Sequence, residues 1–130
     1  MNKTATIVGQ GYVGLPLALA ASKAGCKVWG LDTSQATVDS LNSGRSHVDD
    51  VSDAHVQAML ARGYQATVDG SCVAESDVIL ICVPTPLDED GRPDLSAVKA
   101  ATQLVGRNLT PGSLVVLEST TYPGTTEDLV

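Results

Sequence analysis

At residues 4–14 the chain reads Thr-Ala-Thr-Ile-Val-Gly-Gln-Gly-Tyr-Val-Gly, an apolar, β-branched run that passes directly into a Gly-x-Gly-x-x-Gly turn. A helical pattern rich in Ala and Leu follows over residues 15–24, and a second apolar run over residues 27–31 ends on Asp32. Strand, glycine-rich turn, helix, strand and acid in this order are the layout of a dinucleotide-binding βαβ unit. The unit predicts both the type of sheet and the place of a ligand.

The three glycines of the turn have different physical tasks. Gly9 lets the chain turn tightly, Gly11 lets the backbone approach a pyrophosphate, and Gly14 lets the helix pack close to the strand. The N–H groups of the helix's first turn, together with the helix dipole, favour the negative charge of phosphates. Asp32 lies 23 residues after Gly9, near the spacing of the acid that binds the adenosine ribose hydroxyls.

The same pattern has a purely structural alternative. In that interpretation the turn only connects a strand to a helix, and Asp32 only caps the next helix. The strand before the turn, the helix after it and the distance to the acid favour the dinucleotide site.

Composition limits the class of protein. The 130 residues are 43% hydrophobic and include 12 glycines, which predicts one α/β domain over residues 1–130. The net charge of −7 argues against non-specific binding to nucleic acid or to an anionic membrane. No apolar run reaches the length of a membrane span, and the N-terminus has no signal-peptide pattern.

Cysteine and histidine usage predicts no metal site. Cys26, Cys72 and Cys82 are irregularly spaced and form neither a zinc pattern nor a disulfide framework, so we expect reduced thiols in a cytoplasmic protein. His47 and His55 are isolated, and solvated or capping roles are expected for them. The acidic cluster at residues 49–53 is interpreted as solvated surface and as helix N-terminal charge.

The remaining chain alternates strand and helix patterns. Helices are predicted over residues 34–42, 52–62 and 94–107, with a brief helical stretch ending at Glu75, and strands over residues 64–68, 78–83 and 114–117. The buried face of the helix at 94–107 is expected to consist of Leu95, Val98, Thr102 and Val105. The alternation predicts a Rossmann-like, doubly wound parallel sheet of five strands with helices on both faces.

Ligands of such sheets bind at the carboxyl ends of the strands. Four of the predicted strand ends carry notable residues: the turn at 9–14, Asp32, Pro84-Thr85, and Glu118-Ser119-Thr120. We expect all four to converge on one crevice, although Pro84-Thr85-Pro86 alone would serve equally as a strand terminator.

Four ordered motifs span nearly the whole chain. They are Gly-Gln-Gly-Tyr-Val-Gly-Leu-Pro-Leu-Ala (9–18), Val-Pro-Thr-Pro-Leu (83–87), Pro-Asp-Leu-Ser-Ala-Val (93–98) and Glu-Ser-Thr-Thr-Tyr-Pro-Gly-Thr-Thr-Glu (118–127). Together they resemble the nucleotide-sugar 6-dehydrogenases of the UDP-glucose/GDP-mannose dehydrogenase family. The last motif is most similar to the branch that acts on N-acetylated UDP-sugars.

The resemblance implies an enzyme that uses two NAD to oxidise the C6 alcohol of a UDP-sugar to a carboxylate, through a cysteine-bound thiohemiacetal and thioester. It also implies a parent enzyme that is a homo-oligomer. The cofactor-binding residues implied are Gly9, Gln10, Gly11, Tyr12, Val13, Gly14, Asp32, Val83, Pro84, Thr85, Ser119 and Thr120. Thr120 would also lie near the nicotinamide and act as an auxiliary catalytic residue that helps to place a water or a proton relay.

The family's nucleophilic cysteine and its sugar-nucleotide site belong to later segments, and the three cysteines of this chain match neither. The chain therefore resembles the N-terminal cofactor domain of a longer enzyme, truncated before a sixth strand, and we expect no activity from it alone. Two positions depart from the family pattern: Thr37 replaces a frequent basic residue, and Asp49 or Asp50 replaces a glutamate.

A second hypothesis comes from a different class of protein, a stand-alone module that senses NAD or a nucleotide without chemistry. The loops at residues 84–86 and 118–120 favour the enzyme, because a sensor has no evident need for both.

Overall fold

The computed structural model describes residues 3–83, 89–92 and 94–117. Within these residues a single five-stranded sheet forms, and all of its strand pairs are parallel. Its strands are β1 (Thr4–Val8), β2 (Lys27–Leu31), β3 (Gln65–Thr67), β4 (Val78–Ile81) and β5 (Leu114–Leu117). The order β3-β2-β1-β4-β5 confirms the predicted doubly wound sheet. The order reverses between β1 and β4, and ligands of such sheets bind at this switch point.

Helices lie on both faces of the sheet, as predicted. They are α1 (Gly14–Lys23), α2 (Gln35–Asn42), α3 (Asp53–Ala61) and α4 (Ser96–Asn108), with a 3₁₀ helix at Gly70–Glu75. Side chains alternate along β1, so Ile7 joins the hydrophobic cluster under α1, α2 and α3, while Val8 joins the cluster under α4 and the 3₁₀ helix. A parallel sheet covered on both faces explains the continuously apolar strands of the sequence.

Polar caps fix the start of α2 and of α3. The Ser34 hydroxyl accepts a hydrogen bond of 3.2 Å from the N–H of Thr37. At α3, Ser52 and His55 cap each other's backbone N–H groups in a capping box. The capping role expected for His55 is therefore confirmed, and each cap of this kind stabilises a helix by about 1 kcal/mol.

The expected buried face of α4 is wrong in part. Leu95 precedes the helix and is 48% exposed, and Thr102 is exposed and donates its hydroxyl to the Val98 carbonyl. The face that packs inward instead carries Ala101, Leu104 and Val105. The 3₁₀ helix selects this face because Gly70 has no side chain: a Cβ there would lie 2.7 Å from Leu104 Cδ1.

The outer edge of the described sheet is apolar and open. Leu114, Val115 and Leu117 of β5 are 59%, 39% and 53% exposed. The sixth strand, expected in the longer enzyme rather than in this chain, stays a prediction. Among the helices that the structure describes, none is long and apolar enough to cross a membrane.

The position of α4 is testable by a pair of substitutions. Val105→Ala removes buried methyl groups and should lower the free energy of unfolding by about 1–3 kcal/mol, whereas Leu95→Ala should change it by less than about 0.5 kcal/mol. Urea unfolding followed by circular dichroism measures both. Equal losses would mean that the helix presents the face expected from the sequence pattern.

Candidate dinucleotide site

The glycine-rich turn leaves β1 in a conformation that requires Gly9. This residue has φ of +94°, and a Cβ on it would lie 2.5 Å from the carbonyl oxygen of Cys82 at the end of β4. Its N–H donates to the carbonyl of Leu31 at the end of β2, at 2.7 Å. The turn is therefore held between the carboxyl ends of both neighbours of β1.

Gly14 and Gly11 serve different purposes. A Cβ on Gly14 would lie 1.6 Å from the carbonyl oxygen of Gly9, so α1 can begin against the turn only because this side chain is missing. A Cβ on Gly11 would meet no atom within 4 Å, and its φ is not positive. The fold itself therefore has no need of glycine at position 11, and the space that Gly11 leaves open belongs to the crevice.

A crevice of about 780 Å³ opens where β1, β2 and β4 end. Cofactor pockets in proteins typically have volumes of about 300–1,000 Å³. The described residues that line it are Val8, Gly9, Gln10, Gly11, Tyr12, Val13, Leu31, Asp32, Thr33, Cys82, Val83, Ser96, Ala97, Ala100, Ala101 and Leu104. The structure thus brings together the glycine turn, Asp32 and Val83, as the sequence predicted.

Three groups of predicted site residues stand apart from this lining. Gly14 is buried beneath the turn rather than on the crevice wall. Pro84 and Thr85, and likewise Ser119 and Thr120, lie outside the described residues, so their roles stay predictions.

The wall formed by α4 was missed from the sequence. Ser96, Ala97 and Ala100 of its first turns face the crevice opposite the glycine turn. The motif at residues 93–98 was a signal for it, because that motif begins the helix that leads away from the end of β4.

The N-terminus of α1 is electrostatically open. Its N-cap residue, Val13, makes no side-chain capping bond, and the first turn contains no acidic residue. The first N–H groups of a helix have no acceptor within the helix, and they carry about half a positive charge in total. Because Val13 lines the crevice, this positive end is available to an anion there.

The Asp32 carboxylate accepts hydrogen bonds from two backbone segments, the glycine-rich turn and the residues before α2. One carboxylate oxygen accepts from the N–H of Gln10 at 2.9 Å, and the other accepts from the N–H of Ser34 at 3.0 Å. Ser34, rather than Asp32, is the N-cap residue of α2. Each carboxylate oxygen has a second lone pair, so Asp32 can still accept hydrogen bonds from a pair of hydroxyls.

Gln10 differs from the other residues of the turn because its side chain points into the protein. It is 0% exposed, its Nε2 donates to the Ile7 carbonyl at 2.7 Å, and its Oε1 accepts from the Tyr64 hydroxyl at 2.8 Å. His47 is exposed, as expected, but its Nε2 also contacts the carbonyl oxygen of Gln10, a contact that the sequence did not predict. The contact spans 37 positions of sequence, and no local pattern predicts it.

Burial and the nearby charge of Asp32, in that order of size, hold the pKa of Tyr64 well above its usual value of 10.0. The phenol therefore keeps its proton, and with it the hydrogen bond to Gln10, throughout the ordinary pH range. This protonation state matches its role as a donor to an amide oxygen, which cannot itself donate.

Comparison with known proteins agrees with the geometry of the site. Residues 3–130 match the model of the UDP-glucose/GDP-mannose dehydrogenase family, NAD binding domain. The chain belongs to the UDP-glucose/GDP-mannose dehydrogenase family. NAD, the cofactor predicted from the sequence, is confirmed as the cofactor of this domain.

Individual members of the family show how similar the chain is to known enzymes and how much of each it covers. The chain is 40% identical over 129 residues to an NDP-N-acetyl-D-galactosaminuronic acid dehydrogenase of Ralstonia nicotianae, covering 98% of this chain and 30% of that protein. It is 38% identical over 128 residues to the UDP-N-acetyl-D-mannosamine dehydrogenase of Salmonella typhi, covering 97% and 30%. The chain thus spans about 30% of the length of the curated relatives that it matches.

Solved structures give the same family. A UDP-D-ManNAc dehydrogenase from Pyrococcus horikoshii superposes with a TM-score of 0.84 at 35% identity, over 97% of this chain and 30% of that one. A GDP-mannose dehydrogenase from Pseudomonas aeruginosa, solved as a ternary complex, superposes with a TM-score of 0.83 at 32% identity, over 97% and 30%. The predicted Rossmann-like fold is therefore confirmed.

The separate tasks of Gly14 and Gly11 predict effects of very different size when each is replaced by alanine. Gly14→Ala forces a methyl group into the Gly9 carbonyl and should cost more than about 3 kcal/mol of unfolding free energy, or prevent folding. Gly11→Ala enters open space and should change stability by less than about 1 kcal/mol. Thermal unfolding distinguishes them, and a severe loss in Gly11→Ala would contradict the assigned turn.

The raised pKa of Tyr64 predicts a loss of stability at alkaline pH. The unfolded chain releases this phenolic proton near pH 10 while the folded chain retains it, so stability falls as pH rises above about 10, by up to about 1.4 kcal/mol per pH unit. Tyr64→Phe lacks this proton, so its stability deficit relative to wild type should shrink between about pH 9 and pH 11.

Urea unfolding across this pH range measures the deficit. Tyr12→Phe is the matched control, because it removes an exposed phenol, 76% exposed, instead of the buried one. A Tyr64→Phe deficit that stays constant with pH would contradict the buried phenol.

Proposed function

We propose that this chain is the NAD-binding domain of a UDP-sugar 6-dehydrogenase, a protein that as a whole oxidises the C6 alcohol of an N-acetylated UDP-sugar to a carboxylate with two NAD. The observation that supports this most is the crevice itself. An uncapped helix N-terminus and a carboxylate lie at opposite ends of one glycine turn at the switch point of the sheet. The two relatives described above, at 40% and 38% identity, are named as dehydrogenases of N-acetylated nucleotide sugars.

The proposed cofactor pose follows from the charges of the crevice. The pyrophosphate lies against Gly11, Tyr12 and Val13, where helix N–H groups meet open space. The adenosine ribose lies against Asp32. Val83 would hold the nicotinamide, with Thr85, Ser119 and Thr120 as further proposed contacts, and the nicotinamide would supply the hydride acceptor of the oxidation.

The covalent step is proposed to belong to the longer enzyme. Cys72 and Cys82 are 3% and 4% exposed. Burial is also the largest influence that raises the pKa of the Cys72 thiol, which disfavours the reactive thiolate. Cys26 and Cys72 are not part of the described crevice lining, and Cys82, which is, is buried, so none of the three thiols is placed to attack a sugar aldehyde there. The longer enzyme is also proposed to take a UDP-sugar as its substrate and to form a homo-oligomer.

The isolated chain should therefore bind NAD without turning over a UDP-sugar. Purified chain incubated with NAD and with UDP-N-acetylglucosamine, UDP-N-acetylmannosamine or UDP-glucose should give no increase in absorbance at the wavelength of NADH. Steady NADH formation would contradict the proposal that the nucleophile lies elsewhere.

Asp32 predicts a preference for NAD over NADP. A 2′-phosphate would bring negative charge beside the carboxylate, and one pair of unit charges at about 4 Å costs on the order of 4 kcal/mol at an effective dielectric of about 20. Screening lowers this cost, but even about 1.4 kcal/mol is tenfold in affinity. The described lining contains no Lys or Arg to compensate.

Asp32→Asn removes the charge and keeps one acceptor oxygen, so it should bring the two affinities to within a few-fold of each other. Calorimetric titration with both cofactors measures the ratio. Asp50→Asn, an exposed acid outside the crevice lining, is the matched control. Equal affinities in wild type would show that Asp32 serves only the local hydrogen bonds.

A further inference from the structure

Gln10 lies between the first two glycines of the turn, and all of its polar groups have partners within the protein. The four polar groups of Gln10 each have a partner on a different part of the chain: the backbone N–H on Asp32, the carbonyl on His47, Nε2 on Ile7 and Oε1 on Tyr64. Its neighbours Gly9 and Gly11 are the most permissive residues for backbone rotation. The contacts of Gln10 thus add a side-chain restraint to the backbone contact that Gly9 makes with Leu31.

Gly30 of the sheet provides the space for the hydrogen bond between Gln10 and Tyr64. Gly30 lies in β2, where glycine packs poorly and weakens a strand. A Cβ on Gly30 would lie 2.3 Å from the Tyr64 hydroxyl and 2.6 Å from Gln10 Oε1. The space that a side chain on Gly30 would fill is therefore occupied by the hydrogen-bonded groups of Gln10 and Tyr64, which are 54 positions apart in sequence.

We infer that Gln10, Tyr64 and Gly30 form a latch that fixes the glycine-rich turn in the shape that binds a dinucleotide. His47 contacts the backbone carbonyl of Gln10, and so restrains the same residue. Tyr64 and His47 are positioning residues: neither lines the crevice, and both act through Gln10 on the N–H groups of Gly11, Tyr12 and Val13. The inference rests on the proposed NAD site at this turn.

The physical gain is pre-organisation. A turn that is already in its bound shape loses less conformational freedom when the pyrophosphate arrives, and affinity rises accordingly. Without the phenol, the buried Oε1 of Gln10 has lost its described partner. The amide then gains by leaving its place to reach water. Because Gln10 is flanked by glycines, such a movement is carried directly into the turn.

The test compares three variants of the full 130-residue chain. Tyr64→Phe removes one hydroxyl and keeps the ring, and His47→Ala removes the part-buried contact to the Gln10 carbonyl. Val56→Ala is the control, since Val56 is fully buried in α3 and does not line the crevice. For each, backbone order parameters are measured by ¹⁵N relaxation without ligand, and the NAD dissociation constant is measured by calorimetry.

In Tyr64→Phe the order parameters of residues 9–13 should fall from about 0.85 towards 0.6, the range of a flexible backbone. The NAD dissociation constant should rise about tenfold, which corresponds to about 1.4 kcal/mol. His47→Ala should shift both quantities in the same direction by a smaller amount. Val56→Ala should lower the melting temperature and leave both unchanged.

Two different failures are distinguishable. If wild type binds NAD but the turn of Tyr64→Phe stays as rigid and binds as tightly as wild type, the latch is overturned while the proposed function stands. If wild type does not bind NAD, the proposed site is overturned, and the order parameters of the ligand-free chain still decide whether the latch holds the turn. Equal loosening in Val56→Ala would also overturn the latch, because general destabilisation would then explain the effect.

Discussion

The close approach of two backbone segments determines where everything else in this molecule lies. The first residue of α1 sits so near the end of β1 that a Cβ on Gly14 would come within 1.6 Å of the Gly9 carbonyl oxygen. This contact points the start of α1 at the carboxyl ends of the strands. The reversal of strand order between β1 and β4 then leaves the space beyond those ends uncovered by a crossover. A helix N-terminus at the edge of an open crevice is the direct result.

The charges around the crevice favour an anion that carries its phosphates at one end and neutral hydroxyls at the other. The chain carries a net charge of −7, and the described lining contains one carboxylate and no Lys or Arg. A phosphate there depends on backbone N–H groups and the helix dipole, which are fixed in direction and lie in a narrow space. The carboxylate at the other end of the turn accepts neutral hydroxyls and repels a second phosphate. Donors at one end and an acceptor at the other match the alternating chemistry of NAD.

Local patterns predicted the parts of the site that depend on neighbours in sequence. The glycine spacing, the β-branched strands and the acid after β2 all act within one βαβ unit, so residues 4–32 were sufficient to predict the turn and Asp32. The parts that were missed are held by contacts across long separations. Tyr64 and His47 reach Gln10 over 54 and 37 positions, and the buried face of α4 is selected by Gly70 from another element. Periodicity identifies a helix, but the element that packs against it decides which of its faces is buried.

NAD is proposed to bind along the turn between the N-terminus of α1 and Asp32. A titration of the ¹⁵N-labelled chain with NAD, followed by two-dimensional NMR, tests it most directly. We expect the largest shifts in the amides of Gly11, Tyr12, Val13 and Thr33, with smaller shifts in the first turns of α4. Shifts confined to the smaller hollow between β2, β3 and the 3₁₀ helix, around Trp29 and Asp69, would contradict binding along the turn, as would no shifts at all.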